Sequence, residues 1–204
     1  MAAIASALTL AAAAASAQTP LFPASVSQAN LDCLFGLGAQ CTVAPHDEAN
    51  DIPMGGISGK AVLHSRLIKA ADGSRADGRT LYQYQIDLSA ATAIGDSACI
   101  SNLSIRFGPV AKLPYAPGTV LRDVYAIQQG VPANQIGFAS AELSGEVVTF
   151  TFSRLICAST GSGPGDTSFA FGLASVDPPA RAVQALLDGP GFFDVRVKSF
   201  SPRR

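Results

Sequence analysis

The sequence contains no tryptophan, only two histidines and few charged residues. Its charged fraction of 14% is well below the roughly one quarter that is usual in globular proteins, and its formal net charge is -1. A charge so close to zero provides no long-range field that would attract nucleic acid or an anionic lipid surface. With so few imidazoles and no cofactor-binding loop, we expect neither a metal nor another cofactor.

The N-terminal segment 1–17 has the composition of an export signal. It is apolar and uncharged, and it ends in Ala15-Ser16-Ala17, the small-x-small pattern that a signal peptidase cleaves. This apolar segment is too short to span a membrane, because a membrane-spanning helix needs about 20 apolar residues. We therefore expect secretion, or a periplasmic location in a bacterium, with Gln18 as the first mature residue. The segment lacks Lys and Arg, which leaves two hypotheses: a start codon further upstream, or an N-terminal helix retained on a cytosolic protein.

Export places the cysteines in an oxidising compartment, where they become candidates for disulfides. Four cysteines allow three pairings. We prefer Cys33–Cys41, because these two are close together, and Cys99–Cys157, because each lies at the end of a predicted strand. Free buried thiols are the alternative.

The pattern of apolar residues changes near position 59. Segment 18–58 is rich in Pro and Gly and is predicted to be irregular, with His46–Asp51 as a solvated connection. Residues 59–204 are predicted to form one β domain, because short runs alternate between apolar and polar residues and are separated by turn residues. About nine strands are predicted: Lys60–Ile68, Thr80–Leu88, Ile100–Phe107, Val120–Gln128, Ile136–Leu143, Val147–Ser153, Ser168–Ala174, Val183–Leu187 and Phe193–Phe200.

These strands predict an all-β fold. Without long helical segments between them, an antiparallel two-sheet β-sandwich of Greek-key or jelly-roll type is the simplest arrangement. A closed barrel is the alternative. The only helix that we expect is a short turn near Val131–Ile136 or Pro179–Leu187.

Three segments carry a resemblance to a known group of proteins: Tyr82–Leu88, Phe150–Ser153 and Ser168–Ser175. They resemble bacterial secreted β-sandwich proteins that are associated with exosortase sorting, the PEP-CTERM type. The resemblance covers roughly residues 60–200 and implies an exported β protein. Phe200–Arg204 has neither a Pro-Glu-Pro motif nor an apolar anchor, which implies release rather than sorting to the surface. No functional residue is implied, because the group is largely uncharacterised.

Two residues are candidates for ligand contacts. Asp87 lies on the polar face of the aromatic strand Thr80–Leu88, where a sugar could bind, and Tyr115 lies in a Pro-rich loop that we expect to be exposed. For each there is a structural alternative: a solvated strand residue for Asp87, and a cap on the end of the sandwich for Tyr115.

Two functions follow from these features. The first is a secreted, non-enzymatic β-sandwich that binds carbohydrate or another extracellular protein, or that serves as a structural module. The second is a secreted polysaccharide hydrolase that uses two facing carboxylates, drawn from Asp87, Asp123, Glu142, Glu146, Asp166 and Asp194. A serine hydrolase is disfavoured, because the chain has no G-x-S-x-G motif.

Overall fold

A computed structural model describes residues 17–35, 46–95, 98–115, 120–130, 132 and 134–202. Apart from Ala17, the predicted signal peptide lies outside these residues. The predicted Cys33–Cys41 pair also lies outside them, because neither Cys41 nor the side chain of Cys33 is described. The described elements are twelve strands and one helix: β1 (Thr19–Pro20), β2 (Pro23–Ser27), α1 (Gln28–Phe35), β3 (His46–Asp51), β4 (Ile57–Lys69), β5 (Thr80–Ala93), β6 (Cys99–Arg106), β7 (Val124–Gln129), β8 (Phe138–Ser144), β9 (Val147–Cys157), β10 (Phe171–Ser175), β11 (Pro179–Gly189) and β12 (Phe192–Pro202).

The strands form two six-stranded sheets, which confirms the all-β prediction. The first sheet has the order β1-β8-β9-β6-β11-β12, and the second has the order β2-β7-β10-β5-β4-β3. All neighbouring strands are antiparallel except β2 and β7, which are parallel. The predicted count of about nine strands is wrong, because β1, β2 and β3 were missed.

The missed strands belong to segment 18–58, which was predicted to be irregular. Instead, β1 pairs with β8, β2 with β7 and β3 with β4, so this segment supplies edge strands to both sheets. Local sequence does not reveal them, because two are short and the third, His46–Asp51, is polar. They form because neighbouring strands offer unpaired backbone groups.

The helix also lies in this segment. Of the two predicted positions, 179–187 is part of β11, whereas the described residues of 131–136 contain a turn, in which the Gln135 N–H donates to the Pro132 carbonyl at 3.3 Å. Ser27 begins the helix by accepting a hydrogen bond from the Asn30 N–H at 3.2 Å, which is the standard N-cap arrangement. Within the described residues, no helix has the length and apolar character needed to cross a membrane.

Both sheets contribute to one hydrophobic cluster. Phe171 of β10 in the second sheet contacts three phenylalanine rings of the first sheet, with centroids 4.7 to 5.9 Å apart. These rings belong to Phe138, Phe150 and Phe152. Tyr82 and Tyr84 of β5 are buried in the same cluster, so the alternation of this strand is in the predicted phase.

A second hydrophobic cluster lies on the other face of the second sheet, which we call the outer face. Leu31 and Leu34 of α1 pack there with Tyr125 and Ile127 of β7, and with Tyr115. This cluster includes side chains from β2, β7, β10 and one end of β4 and β5. The rest of β3, β4 and β5 carries mainly polar side chains on the outer face, among them Asp47, Arg66 and Gln83.

The Cys99–Cys157 disulfide is present, as predicted. The two residues lie directly opposite each other on β6 and β9, with Cα atoms 4.0 Å apart. The bridge therefore joins neighbouring strands of the first sheet across a sequence separation of 58 residues.

Candidate functional site

A polar depression of about 300 Å³ lies over β3, β4 and β5 on the outer face of the second sheet. Residues 47–49, 64–66 and 83–85 line it. Its volume is at the lower end of the range for small-molecule sites, roughly 300 to 1,000 Å³. We call it the polar depression.

The pairing of the three strands sets the order of side chains across the depression. Asp47 is opposite Arg66, and Arg66 is opposite Gln83. One row further along, His64 lies between Ala49 and Gln85. Side chains alternate between the faces of a strand, so these two rows share the outer face, and the row between them points toward the core. The small side chain of Ala49 leaves space beside His64.

Arg66 is fixed by Asp47. The guanidinium donates two hydrogen bonds to this carboxylate, from Nε at 2.6 Å and from Nη2 at 2.7 Å. Bidentate pairs of this type are the most directional of protein ion pairs. The positive charge of Arg66 is therefore balanced inside the depression.

Gln83 is fixed by a buried tyrosine two strands away. The hydroxyl of Tyr125 on β7 donates a hydrogen bond to Gln83 Oε1 at 3.3 Å. Gly172 of β10 lies between them, paired with Gln83 on one side and with Tyr125 on the other. Among the described residues, the Nε2 group of Gln83 has no hydrogen-bond partner.

Gln85 is held through its amide nitrogen, whereas Gln83 is held through its amide oxygen. Its Nε2 group donates a hydrogen bond to the carbonyl oxygen of Ser168 at 3.1 Å. The segment around Ser168 runs beside β5, where the Ser168 N–H donates to the carbonyl of Ile86. Within the described part of the chain, Oε1 of Gln85 has no partner.

Asp87 extends the polar row beyond Gln85. Its Oδ2 lies 3.8 Å from His64 Nε2, and its Oδ1 accepts hydrogen bonds from the Ser89 N–H at 2.8 Å and the Thr167 hydroxyl at 3.2 Å. Partial burial by itself raises the pKa of Asp87, but the hydrogen bonds from Ser89 and Thr167, together with His64, bring it below its ordinary value. Asp87 is therefore ionised at neutral pH.

Tyr115 is not a surface residue, so the prediction that it is exposed is wrong. Its ring is fully buried in the second hydrophobic cluster, 5.2 Å from the ring of Tyr125, and its hydroxyl donates to the carbonyl of Asp123 at 3.3 Å. The Pro-rich loop suggested exposure, but the ring packs against Tyr125 of β7 in the same cluster as Leu31 and Leu34 of α1. Tyr115 supports Tyr125 and does not reach the polar depression.

The predicted connection at His46–Asp51 is also corrected, because these residues form the edge strand β3. This strand supplies Asp47 and Ala49 to the depression. The sequence predicts Asp87 on the polar face of β5, but it does not single out Gln83, Gln85 or Arg66. The alternation of Thr80–Leu88 was the signal that placed Gln83 and Gln85 on that face.

The carboxylates at the depression are poorly arranged for glycoside hydrolysis. Asp47 and Glu48 are consecutive residues of one strand, so their side chains point to opposite faces and cannot flank one glycosidic bond. The general acid of such an enzyme needs a raised pKa, whereas the pKa of Asp87 is lowered.

The described residues around the depression also do not form a hydroxyl–histidine pair of the kind that nucleophilic catalysis needs. The Thr167 hydroxyl donates its hydrogen to Asp87, and Ser65 is buried on the core side of β4. In the described residues, no hydroxyl is hydrogen-bonded to His64 as the nucleophile of a triad would be.

Comparison of the chain with protein-family models, curated proteins and solved structures found no match in any of the three.

Proposed function

We propose that this chain is an exported two-sheet β-sandwich, of Greek-key or jelly-roll type, that acts as an extracellular binding module. Two six-stranded sheets that share one hydrophobic cluster support the sandwich. The Cys99–Cys157 disulfide supports export, because such bridges persist in oxidising compartments. The resemblance to secreted proteins of the PEP-CTERM type agrees with export and remains a prediction.

The arrangement of Gln83 and Gln85 carries the proposal. Each side-chain amide is held at one end by a hydrogen bond within the protein, while its other end has no partner among the described residues. Ordering a flexible side chain costs free energy on binding, and here folding has already ordered both. A merely solvated sheet face needs no such fixed amides, so the arrangement favours a binding site.

The alternative function is a polysaccharide hydrolase with paired carboxylates. The lowered pKa of Asp87 and the opposite orientations of Asp47 and Glu48 disfavour it at the polar depression. Asp123 is disfavoured as well, because it is buried and its carboxylate accepts a hydrogen bond from the Phe22 N–H.

A glycan array and a hydrolysis assay, both on the full chain, test the proposal. We expect retention on at least one immobilised glycan without the appearance of new reducing ends in the matching soluble polysaccharide. Release of reducing ends that Asp87→Asn abolishes would replace the binding module with the hydrolase. If no glycan retains the protein, an extracellular protein becomes the partner to test.

A further inference from the structure

We propose that the polar depression binds an uncharged sugar unit through its hydroxyl groups, with Gln83 as a hydrogen-bond donor and Gln85 as an acceptor. This inference rests on the proposed binding function and names its ligand class.

The two amides present complementary groups. Because Gln83 uses Oε1 to accept from Tyr125, it turns its NH₂ group to the ligand. Because Gln85 uses its NH₂ group to bind the Ser168 carbonyl, it offers Oε1. A hydroxyl group both donates and accepts, so the hydroxyls of one sugar ring can satisfy both amides. Residues two apart on one strand lie roughly 6.5 Å apart, a spacing that hydroxyls on different ring carbons can bridge.

The charges around the depression favour an uncharged ligand. Arg66 is paired with Asp47 through two hydrogen bonds, so it offers no unbalanced cation to a sulfate or a uronate. Asp87 faces His64 at 3.8 Å and is also held by Thr167. An anionic ligand would meet the carboxylates of Asp47 and Asp87, and a cationic ligand would compete with the guanidinium of Arg66.

The lining also sets the strength of binding. Of the residues that line the depression, Tyr84 is the only tyrosine or phenylalanine, and its ring is buried on the core side, where its hydroxyl donates to the Phe200 carbonyl. A sugar would therefore gain mainly hydrogen bonds, with the imidazole of His64 as the one exposed ring in the lining. A single hexose is therefore expected to bind weakly, with a dissociation constant on the order of 1 mM.

Weak binding of this kind is best measured by NMR titration of the ¹⁵N-labelled full chain. The neutral probes are the methyl glycosides of glucose, galactose and mannose, together with N-acetylglucosamine. The charged probes are galacturonate and glucosamine. We expect at least one neutral probe to shift the side-chain amide signals of Gln83 or the backbone signals of residues 64–66 in a saturable way, and the charged probes to shift them less.

Matched variants locate the site. Gln83→Met and Gln85→Met keep the length of the side chain and remove its hydrogen bonds, so each is expected to weaken binding about 3- to 10-fold, as for one lost hydrogen bond. Gln128→Met is the control, because Gln128 is an exposed glutamine of the same sheet that lies outside the depression. Signal dispersion in each spectrum reports whether the variant is folded. If Gln83→Met does not fold, the change in binding caused by Gln85→Met alone decides whether the depression is the binding site.

Each result has a distinct meaning. Saturable shifts by a neutral probe that Gln85→Met weakens and Gln128→Met leaves unchanged would establish the inference. Stronger binding of galacturonate or glucosamine, shifts confined to another surface, or no shift with any probe would overturn it, and all three leave the wider binding function standing. Conversion of a methyl glycoside to free sugar in the same tube would instead overturn the proposed function.

Discussion

Tyr125 and Gln83 are joined by a hydrogen bond that crosses the whole width of strand β10. The Tyr125 hydroxyl is the donor and Gln83 Oε1 is the acceptor, at 3.3 Å, although β7 and β5 are not neighbours in the sheet. The bond connects the second hydrophobic cluster, to which Tyr125 belongs, with the polar depression. The position of an amide in the polar depression therefore depends on a buried ring.

Tyr125→Phe is the direct test of this connection. Removing the hydroxyl is expected to lower the free energy of unfolding by about 1 kcal/mol, the usual net value of one hydrogen bond. Urea unfolding of Tyr125→Phe, Gln83→Met and the double variant gives the coupling between the two side chains. A double variant whose loss equals the sum of the two single losses would show that the bond contributes nothing.

Gly172→Ala tests the backbone between the two residues. An added Cβ would collide with the carbonyl oxygen of Tyr82 and would lie 2.9 Å from the Tyr125 hydroxyl. Since the first of these is a backbone atom in a paired strand, the sheet itself must shift. We expect a loss of about 3 kcal/mol in urea unfolding. Gly163→Ala is the control, with no atom within 4 Å of the added Cβ, and it should change stability by less than about 0.5 kcal/mol.

The local alternation of apolar and polar residues was sufficient to predict the strands that bury one face. In β5, the prediction placed Tyr82, Tyr84 and Ile86 on one side and Gln83 and Gln85 on the other, and burial agrees. The reason is physical: a strand with one face in the core must alternate. The Cys99–Cys157 pairing could also be predicted, because each cysteine lies at the end of a predicted strand.

The polar depression could not be predicted in this way, because it depends on contacts between distant parts of the chain. Strand β3 carries no apolar alternation, and its place beside β4 is set by edge pairing. Tyr115 is likewise buried in a cluster with residues of α1 and β7, which no local pattern around position 115 reveals. For α1 there was a usable signal: Ser27 as N-cap, followed by Leu31 and Leu34 three residues apart.

Phe152→Ala tests the cluster that the two sheets share. Phe152 is 6% exposed, and its ring lies 5.7 Å from that of Phe171 on the other sheet. Truncation should cost about 3 to 5 kcal/mol, as for other buried phenylalanines. Phe22 is 52% exposed, so Phe22→Ala is the matched control and should cost less than about 1 kcal/mol. Equal losses in the two variants would contradict the assignment of Phe152 to the core.

The disulfide should stabilise the folded protein by reducing the conformational entropy of the unfolded chain. Closing the loop between Cys99 and Cys157, which are 58 residues apart, is worth about 4 kcal/mol in the loop-entropy account. We expect non-reducing peptide mapping to join these two cysteines, and we expect the double variant Cys99→Ala, Cys157→Ala to lose stability by about that amount. Any further loss on adding reductant to the double variant would come from the other two cysteines. A peptide joining Cys33 to Cys99 would refute the pairing.

The tyrosines predict how stability depends on alkaline pH. All four tyrosines of the chain, Tyr82, Tyr84, Tyr115 and Tyr125, are buried. Burial is the main cause that raises the pKa of each hydroxyl above its ordinary value, because a phenolate would be poorly solvated in the core. In the unfolded chain the same groups ionise near pH 10.

The sign of the effect follows from these two states. Below about pH 10 every tyrosine is neutral in both states and the full stability is retained. Above it only the unfolded state gains free energy by ionising, so stability falls by at most about 1.4 kcal/mol for each tyrosine and each pH unit. Absorbance of tyrosinate and circular dichroism, followed together during alkaline titration, should therefore change in one cooperative step, whereas urea-unfolded protein should titrate gradually near pH 10. A tyrosine that ionises near that pH while the β signal persists would mean that its ring reaches water in the folded protein.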